Sequence, residues 1–206
     1  MIKAVLFDID GVLVDSFEAN RKFFGDLLTS FGYDAPTQEE FAGAFHMSMK
    51  ATIEHFTKST DEKEIQIIWS SGKDHDAPHH LWKMSQNYEQ IIELLSKNYS
   101  LGIVTSKMKA NIYKAPQMKL IEKYFKTAVG YDDVANHKPH PEPLLLAVTH
   151  LGVLPEEAVY IGDMPTDVEA AKSAGMKIIH FSKNPLSEVD AFTDSFTELP
   201  SIIKNL

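Results

Sequence analysis

The apolar positions of the chain follow two patterns. Residues 2–8 are mostly apolar and β-prone and run into a turn containing Gly11, which predicts a buried strand. Runs of the same kind recur at 101–105, 158–162 and 177–181, with a weaker one at 126–130. They are continuous rather than alternating, the pattern of strands covered on both faces by helices. Helical periodicity lies between them, around 107–124, 141–151 and 165–174. Alternation of this kind predicts an α/β fold with a Rossmann-like parallel sheet.

The first connection departs from that rhythm. From Ser16 to about Tyr88 the pattern is helical throughout. Phe17, Phe24, Leu27, Leu28 and Phe31 share one helical face, and Gly32 follows as a stop. Thr37-Gln38-Glu39-Glu40 has the form of a capping box and opens a second helix. Ser59-Thr60-Asp61-Glu62 opens a third, and a fourth is expected from about Pro78 to Lys97. A connection of roughly 70 residues is far beyond a normal loop. It predicts a small α-helical domain at 17–87, inserted into an α/β core formed by 1–16 and 88–206.

The chain of 206 residues, 44% hydrophobic and 24% charged, can fill such a core without staples. It has no cysteine, which excludes disulfides, Cys-ligated zinc and thiol catalysis. The opening MIKAVLFDID turns acidic too soon for a signal peptide, and no run of about 18 apolar residues occurs. The expectation is a soluble cytoplasmic protein, monomer or homodimer, with no membrane partner. A net charge of −9, with Arg21 the only arginine, argues against nucleic acid. A small anionic substrate stays open, because a metal ion or a lysine can make one site positive.

In open parallel sheets, ligands bind beyond the carboxyl ends of the strands. After the first strand come Asp8, Asp10 and Gly11; after the second, Thr105, Ser106 and Lys107; after the run at 158–162, Asp163 and then Asp167 at a helix start. Lys138 lies in the proline-bounded segment His137-Lys138-Pro139-His140-Pro141. Asp8, Asp10 and Asp163 together would make a hard, oxygen-rich site suited to Mg²⁺, and a cation is the simplest way to hold three acids together. Metal, hydroxyl and lysine are what a transferring phosphoryl group needs, because its charge is spread over its oxygens.

Four stretches in order, DIDGVLVDS at 8–16, IVTS at 103–106, HKPHPEP around Lys138 and GDMPTDVEAA at 162–171, resemble the haloacid dehalogenase superfamily. The likeness is to its phosphatase-type branch with a helical cap, the phosphoglycolate phosphatase and β-phosphoglucomutase group. It implies Asp8 as the nucleophile that forms an aspartyl-phosphate. Asp10 would be the acid for the leaving group and then the base for water. Asp8, the backbone carbonyl of Asp10 and Asp163 would hold Mg²⁺, with Asp167 supporting that site. Thr105 and Lys138 would bind the phosphoryl group, with Ser106 and Gly11 as further phosphate-binding candidates. The substrate implied is a small phosphorylated metabolite, phosphoglycolate among the options. The alternatives are a phosphosugar isomerase, a receiver domain and a binding protein without turnover.

The chemistry sets one demand on this arrangement. An aspartic acid with a pKa of ~3.9 carries its proton in only about one molecule in a thousand at pH 7, a handicap of roughly 4 kcal/mol for an acid at position 10. Relatives carry a Gly- or Arg-containing loop where this chain has Phe45-His46-Met47-Ser48-Met49-Lys50, and a Pro-Gly step where it has Met84-Ser85-Gln86-Asn87-Tyr88. Both departures bear on the substrate rather than on the four core stretches.

Several other residues read as structural. Ser106 and Lys107, taken by themselves, read as helix-start and surface residues. Asp132 and Asp133 read as a loop near the site, and His75, His79 and His80 as a polar helix junction rather than a zinc site. Arg21 reads as part of a solvated helix face, and Trp69 and Trp82 as core of the helical insert.

Overall fold

The computed structural model describes residues 1–45, 47–75 and 78–206, the side chains of Lys73 and Asp74 excepted. His46, in the segment expected to bear on substrate choice, lies outside them. The chain divides into two compact units, one of residues 1–15 with 84–206 and one of residues 16–83.

The first unit is built on a parallel sheet of six strands: β1 (Ala4–Phe7), β2 (Ser100–Val104), β3 (Phe125–Val129), β4 (Ala158–Gly162), β5 (Lys177–Phe181) and β6 (Ala191–Thr193). Their spatial order is β3-β2-β1-β4-β5-β6, with every pairing parallel. The order reverses direction beside β1, so the carboxyl ends of β1 and β4 bound the switch-point crevice. The continuous apolar runs are explained by cover on both faces. Ala4 and Leu6 pack in one cluster with Leu144, Ala147, Val168 and Ala171. Phe7, on the other face, meets Phe125 and Phe196 at 6.0 and 6.1 Å between ring centres.

The second unit is helical: α1 (Phe17–Ser30), α2 (Gln38–Ala44), α3 (Met49–Thr57) and α4 (Glu62–Asp74). Leu27, Ile53, Ile65 and Ile68 form its buried centre, with Trp69 packed against it. The Thr37 capping box is present, with the Thr37 hydroxyl accepting from the Glu40 N–H and the Glu40 carboxylate from the Thr37 N–H. Phe31 departs from the expected buried face. It caps α1 and is 37% exposed, because the chain turns away at Gly32, whose φ is +84°.

Two expected helices break. The pattern over 107–124 yields a 3₁₀ turn at Lys109–Asn111 and then a short helix at Pro116–Ile121. Pro116 lacks an N–H and forces Ala115 into extended backbone, so no helix can run through them. The pattern over 78–97 yields a 3₁₀ turn at His79–Leu81 and α5 proper, Tyr88–Ser96. The Ser85 N–H donates to Leu13 O at 3.2 Å and its hydroxyl to Val12 O at 2.7 Å. Those bonds tie residues 84–87 to the α/β unit, where the sequence pattern placed them in the insert. The remaining helices are α6 (Pro116–Ile121), α7 (Glu142–Leu151), α8 (Pro165–Ala174) and α9 (Leu199–Lys204). No helix among the described residues is long and apolar enough to cross a membrane.

Candidate active site

The register of the sheet delivers the acids. Phe7 pairs with Ile103 on one side and Ile161 on the other, so Asp8 emerges at the carboxyl edge between β2 and β4. Its N–H donates to Ile161 O at 2.9 Å, and its Oδ1 accepts from the Ile9 N–H at 2.7 Å. Asp8 is buried, and its Oδ2 lies 2.9 Å from Lys138 Nζ.

Asp163 follows β4, and Asp167 sits in the first turn of α8. Asp167 is fully buried, and protein donors engage both of its oxygens. Oδ1 accepts from Lys138 Nζ at 2.7 Å and from the Tyr160 hydroxyl at 3.2 Å. Oδ2 accepts from the N–H groups of Asp163 and Met164 at 3.2 and 3.0 Å. Two glycines make this possible. A Cβ on Gly162 would stand 2.4 Å from the Asp167 Cβ, and one on Gly11 would stand 2.0 Å from Asp163 Oδ2. Gly11 also has φ +76°, a conformation other residues rarely adopt.

Lys138 is held from outside the strands. Glu142, at the start of α7, accepts from the N–H groups of Ala135 and Asn136 at 3.0 and 3.1 Å, and the Tyr131 ring stacks on His137 at 3.7 Å. Its ammonium donates to Asp8, Asp167 and the Tyr160 hydroxyl, a partner for each of its protons. Burial works against that charge, but the carboxylates of Asp167 and Asp8 outweigh it and hold the pKa well above the usual lysine value.

Oxygen atoms of Asp8, Asp163 and Asp167 lie within 4.8 Å of one another. Burial, followed by the charges of Asp8 and Asp167, pushes Asp163 up to about 8. Burial pushes Asp8 up to about 6, against the pull of Lys138. Three carboxylates share one ammonium, so the cluster is short of positive charge. Its donors are all hard oxygens, and the missing Cβ at Gly11 is what lets the Asp163 carboxylate lie against that turn. These residues fit a small hard cation such as Mg²⁺.

The other sequence candidates fall around this centre. Thr105 is buried after β2; its N–H donates to Val129 O at 3.0 Å, and its hydroxyl oxygen accepts from the Lys107 N–H at 3.3 Å. Ser106 is exposed and lines a shallow depression with Thr105, Lys138 and His137. The Asp10 carboxylate stands outside the acidic cluster and pairs with Lys107 at 3.0 Å. Asp132 and Asp133 knit the loops after β2 and β3, accepting from Lys109 N–H and Nζ at 2.6 and 2.8 Å. In the helical unit, His75 and His79 stack edge-on against Phe23 and Trp82, and Arg21 bonds Glu18 of its own helix.

Three residues had no role at the site in the sequence reading. Lys107 is no helix start: its side chain is 20% exposed and rests on Asp10. Tyr160, inside β4, links Lys138, Asp167 and Val104 O. His180, on β5 beside Gly162, accepts the Leu186 N–H at Nδ1, so its Nε2 carries the proton and donates to Asp163 O at 3.0 Å. Its place at the end of the second strand was the signal for Lys107; Tyr160 and His180 read only as strand interior.

Residues 5–181 match the family described as haloacid dehalogenase-like hydrolase. A pyrophosphatase PpaX from Bacillus cereus is 33% identical over 85% of this chain and 81% of its own length. A phosphoglycolate phosphatase from Salmonella choleraesuis is 29% identical over 96% and 91%. Among solved structures, a subfamily IA hydrolase of the same superfamily from Geobacter sulfurreducens superposes with TM-score 0.76 at 25% identity, covering 98% of this chain and 96% of that one. The chain therefore belongs to the haloacid dehalogenase-like hydrolases and is an enzyme of their phosphatase type.

Proposed function

We propose that the chain is a Mg²⁺-dependent cytoplasmic phosphatase that hydrolyses a small phosphorylated metabolite through an aspartyl-phosphate on Asp8, with residues 16–83 as its cap domain. The observation that carries the reading is the setting of Asp8. It is a buried carboxylate at the switch point, fixed through Oδ1 by a backbone N–H and through Oδ2 by Lys138, with Asp163 and Asp167 beside it. A carboxylate so held cannot swing away, and orienting a nucleophile removes much of the entropic part of the barrier.

In the first step Asp8 attacks phosphorus, the bond to the leaving oxygen breaks, and Asp10 gives that oxygen a proton. In the second, water attacks the acyl phosphate at phosphorus and gives its proton to Asp10; orthophosphate departs and Asp8 is restored. Lys138 neutralises Asp8 and stays charged throughout. Thr105 offers its hydroxyl to a phosphoryl oxygen. Asp167 and Tyr160 hold Lys138 in place, and His180 steadies the backbone of Asp163. Mg²⁺, held by Asp8, Asp163 and the Asp10 carbonyl, would supply positive charge to the phosphoryl oxygens.

The test is phosphate release from 2-phosphoglycolate, pyrophosphate, sugar phosphates and nucleotides, with Mg²⁺ and with EDTA. Release that needs Mg²⁺ is the expected result. Conversion of a sugar phosphate to its isomer without free phosphate would replace the reading with a phosphomutase.

A further inference from the structure

We infer that the ammonium of Lys107 anchors a negative charge on the leaving group, so that the preferred substrates are phosphate esters or anhydrides whose leaving group is itself an anion. The inference rests on the phosphatase reading above and narrows it to a substrate class.

The two lysines of the site stand in different situations. Lys138 is 6% exposed and donates to two carboxylates and a phenol inside the protein. It serves the nucleophile and the phosphoryl group. Lys107 is 20% exposed and pairs at 3.0 Å with Asp10, itself 29% exposed. Asp10 is the residue assigned to the leaving oxygen, so the cation beside it lies on the leaving-group side. Its backbone is pinned at both ends: its N–H donates to the Thr105 hydroxyl at 3.3 Å, and its carbonyl accepts from the Tyr131 N–H at 2.8 Å. Lys109, two residues on, is instead tied to Asp133 at 2.8 Å and is 52% exposed.

Electrostatics then selects the substrate. A leaving group bearing its own negative charge must approach Asp8, Asp10 and Asp163 on a protein of net charge −9. An ammonium shared between Asp10 and the incoming anion offsets that repulsion locally, whereas a neutral alcohol gains nothing from it. Small carboxylates and phosphate itself are leaving groups of the favoured kind.

The experiment uses three phosphate esters of nearly equal size: 2-phosphoglycolate, with an anionic leaving group; 2-hydroxyethyl phosphate, neutral; and phosphoethanolamine, cationic. kcat/KM is measured for the wild type, Lys107→Gln, Lys107→Met and Lys107→Arg, with thermal melts to confirm folding. The expected result is a wild-type order of anion above neutral above cation. The anion-to-neutral ratio should fall about tenfold to a hundredfold in the Gln and Met variants, the size of a lost charge-assisted bond, and Arg should keep most of it. Equal losses on all three esters would overturn the inference and leave the phosphatase reading standing. No release from any of the three esters or from the wider phosphate panel by the wild type would overturn the phosphatase reading, and this inference with it.

Discussion

Among the described residues of polar or charged type, those the helical unit buries carry hydroxyls, Ser16 and Thr52, each bonded within its own helix or cap, whereas the α/β unit buries the carboxylates Asp8 and Asp167 around an ammonium. The charges of the helical unit lie on its surface, as in Lys22–Asp26 and Lys50–Glu62. Exposed pairs contribute little because water solvates both partners nearly as well apart. Burying a charge costs several kcal/mol even with a partner in reach. A chain that accepts that cost at the edge of its sheet, and nowhere among the described residues of its helical unit, holds its chemistry at that edge.

Removing the nucleophile should break this contrast most severely. Asp8→Asn is expected to lower phosphate release by about 10⁴-fold or more, with a thermal melt no lower than the wild type, since one repelling acid is gone. Near-normal turnover would refute the nucleophile assignment. Next comes Lys138→Met, which strips the cation from Asp8 and Asp167. Leaving buried charges unpaired should cost ~3–5 kcal/mol in chemical denaturation at neutral pH, besides activity.

The acid cluster should also reveal itself through pH. Without metal, the folded chain holds protons on Asp163 up to about pH 8 and on Asp8 up to about pH 6, while the unfolded chain releases them near the ordinary carboxylate value. The folded state thus binds more protons across that window, and stability falls as pH rises through it. Urea midpoints in EDTA should drop from pH 5 to pH 8.5, and saturating Mg²⁺ should flatten the slope. A rising profile in EDTA would contradict the charge deficit.

Tyr160→Phe keeps the ring and removes the hydroxyl that joins Lys138, Asp167 and Val104 O. It should cost ~1–3 kcal/mol, since buried partners lose their bonds. The smallest effect belongs to the helical surface: Lys50→Ala should leave the melting temperature unchanged within error.

The strands, the inserted helical stretch and the acids at strand ends were legible because each depends on neighbours in the chain. A β run, a capping box, the glycines of the turn at Gly11 and of Gly162 and the D-x-D spacing are local signals. Phe31 and the broken helices at Ala115–Pro116 and Ser85 were less legible. There a periodic apolar pattern continued, but a proline or a bond to a distant backbone group overruled it.

The sequence by itself determined that a parallel sheet would carry Asp8, Asp10, Thr105 and Asp163 to one edge, because where each strand ends and the turn chemistry after it are written in adjacent residues. Only the tertiary structure decided that Lys107 rests on Asp10, that Tyr160 and His180 brace Lys138 and Asp163, and that the acids together outweigh their cation. Those outcomes depend on burial and on distances between residues far apart in the chain, and electrostatic energies take their size from both.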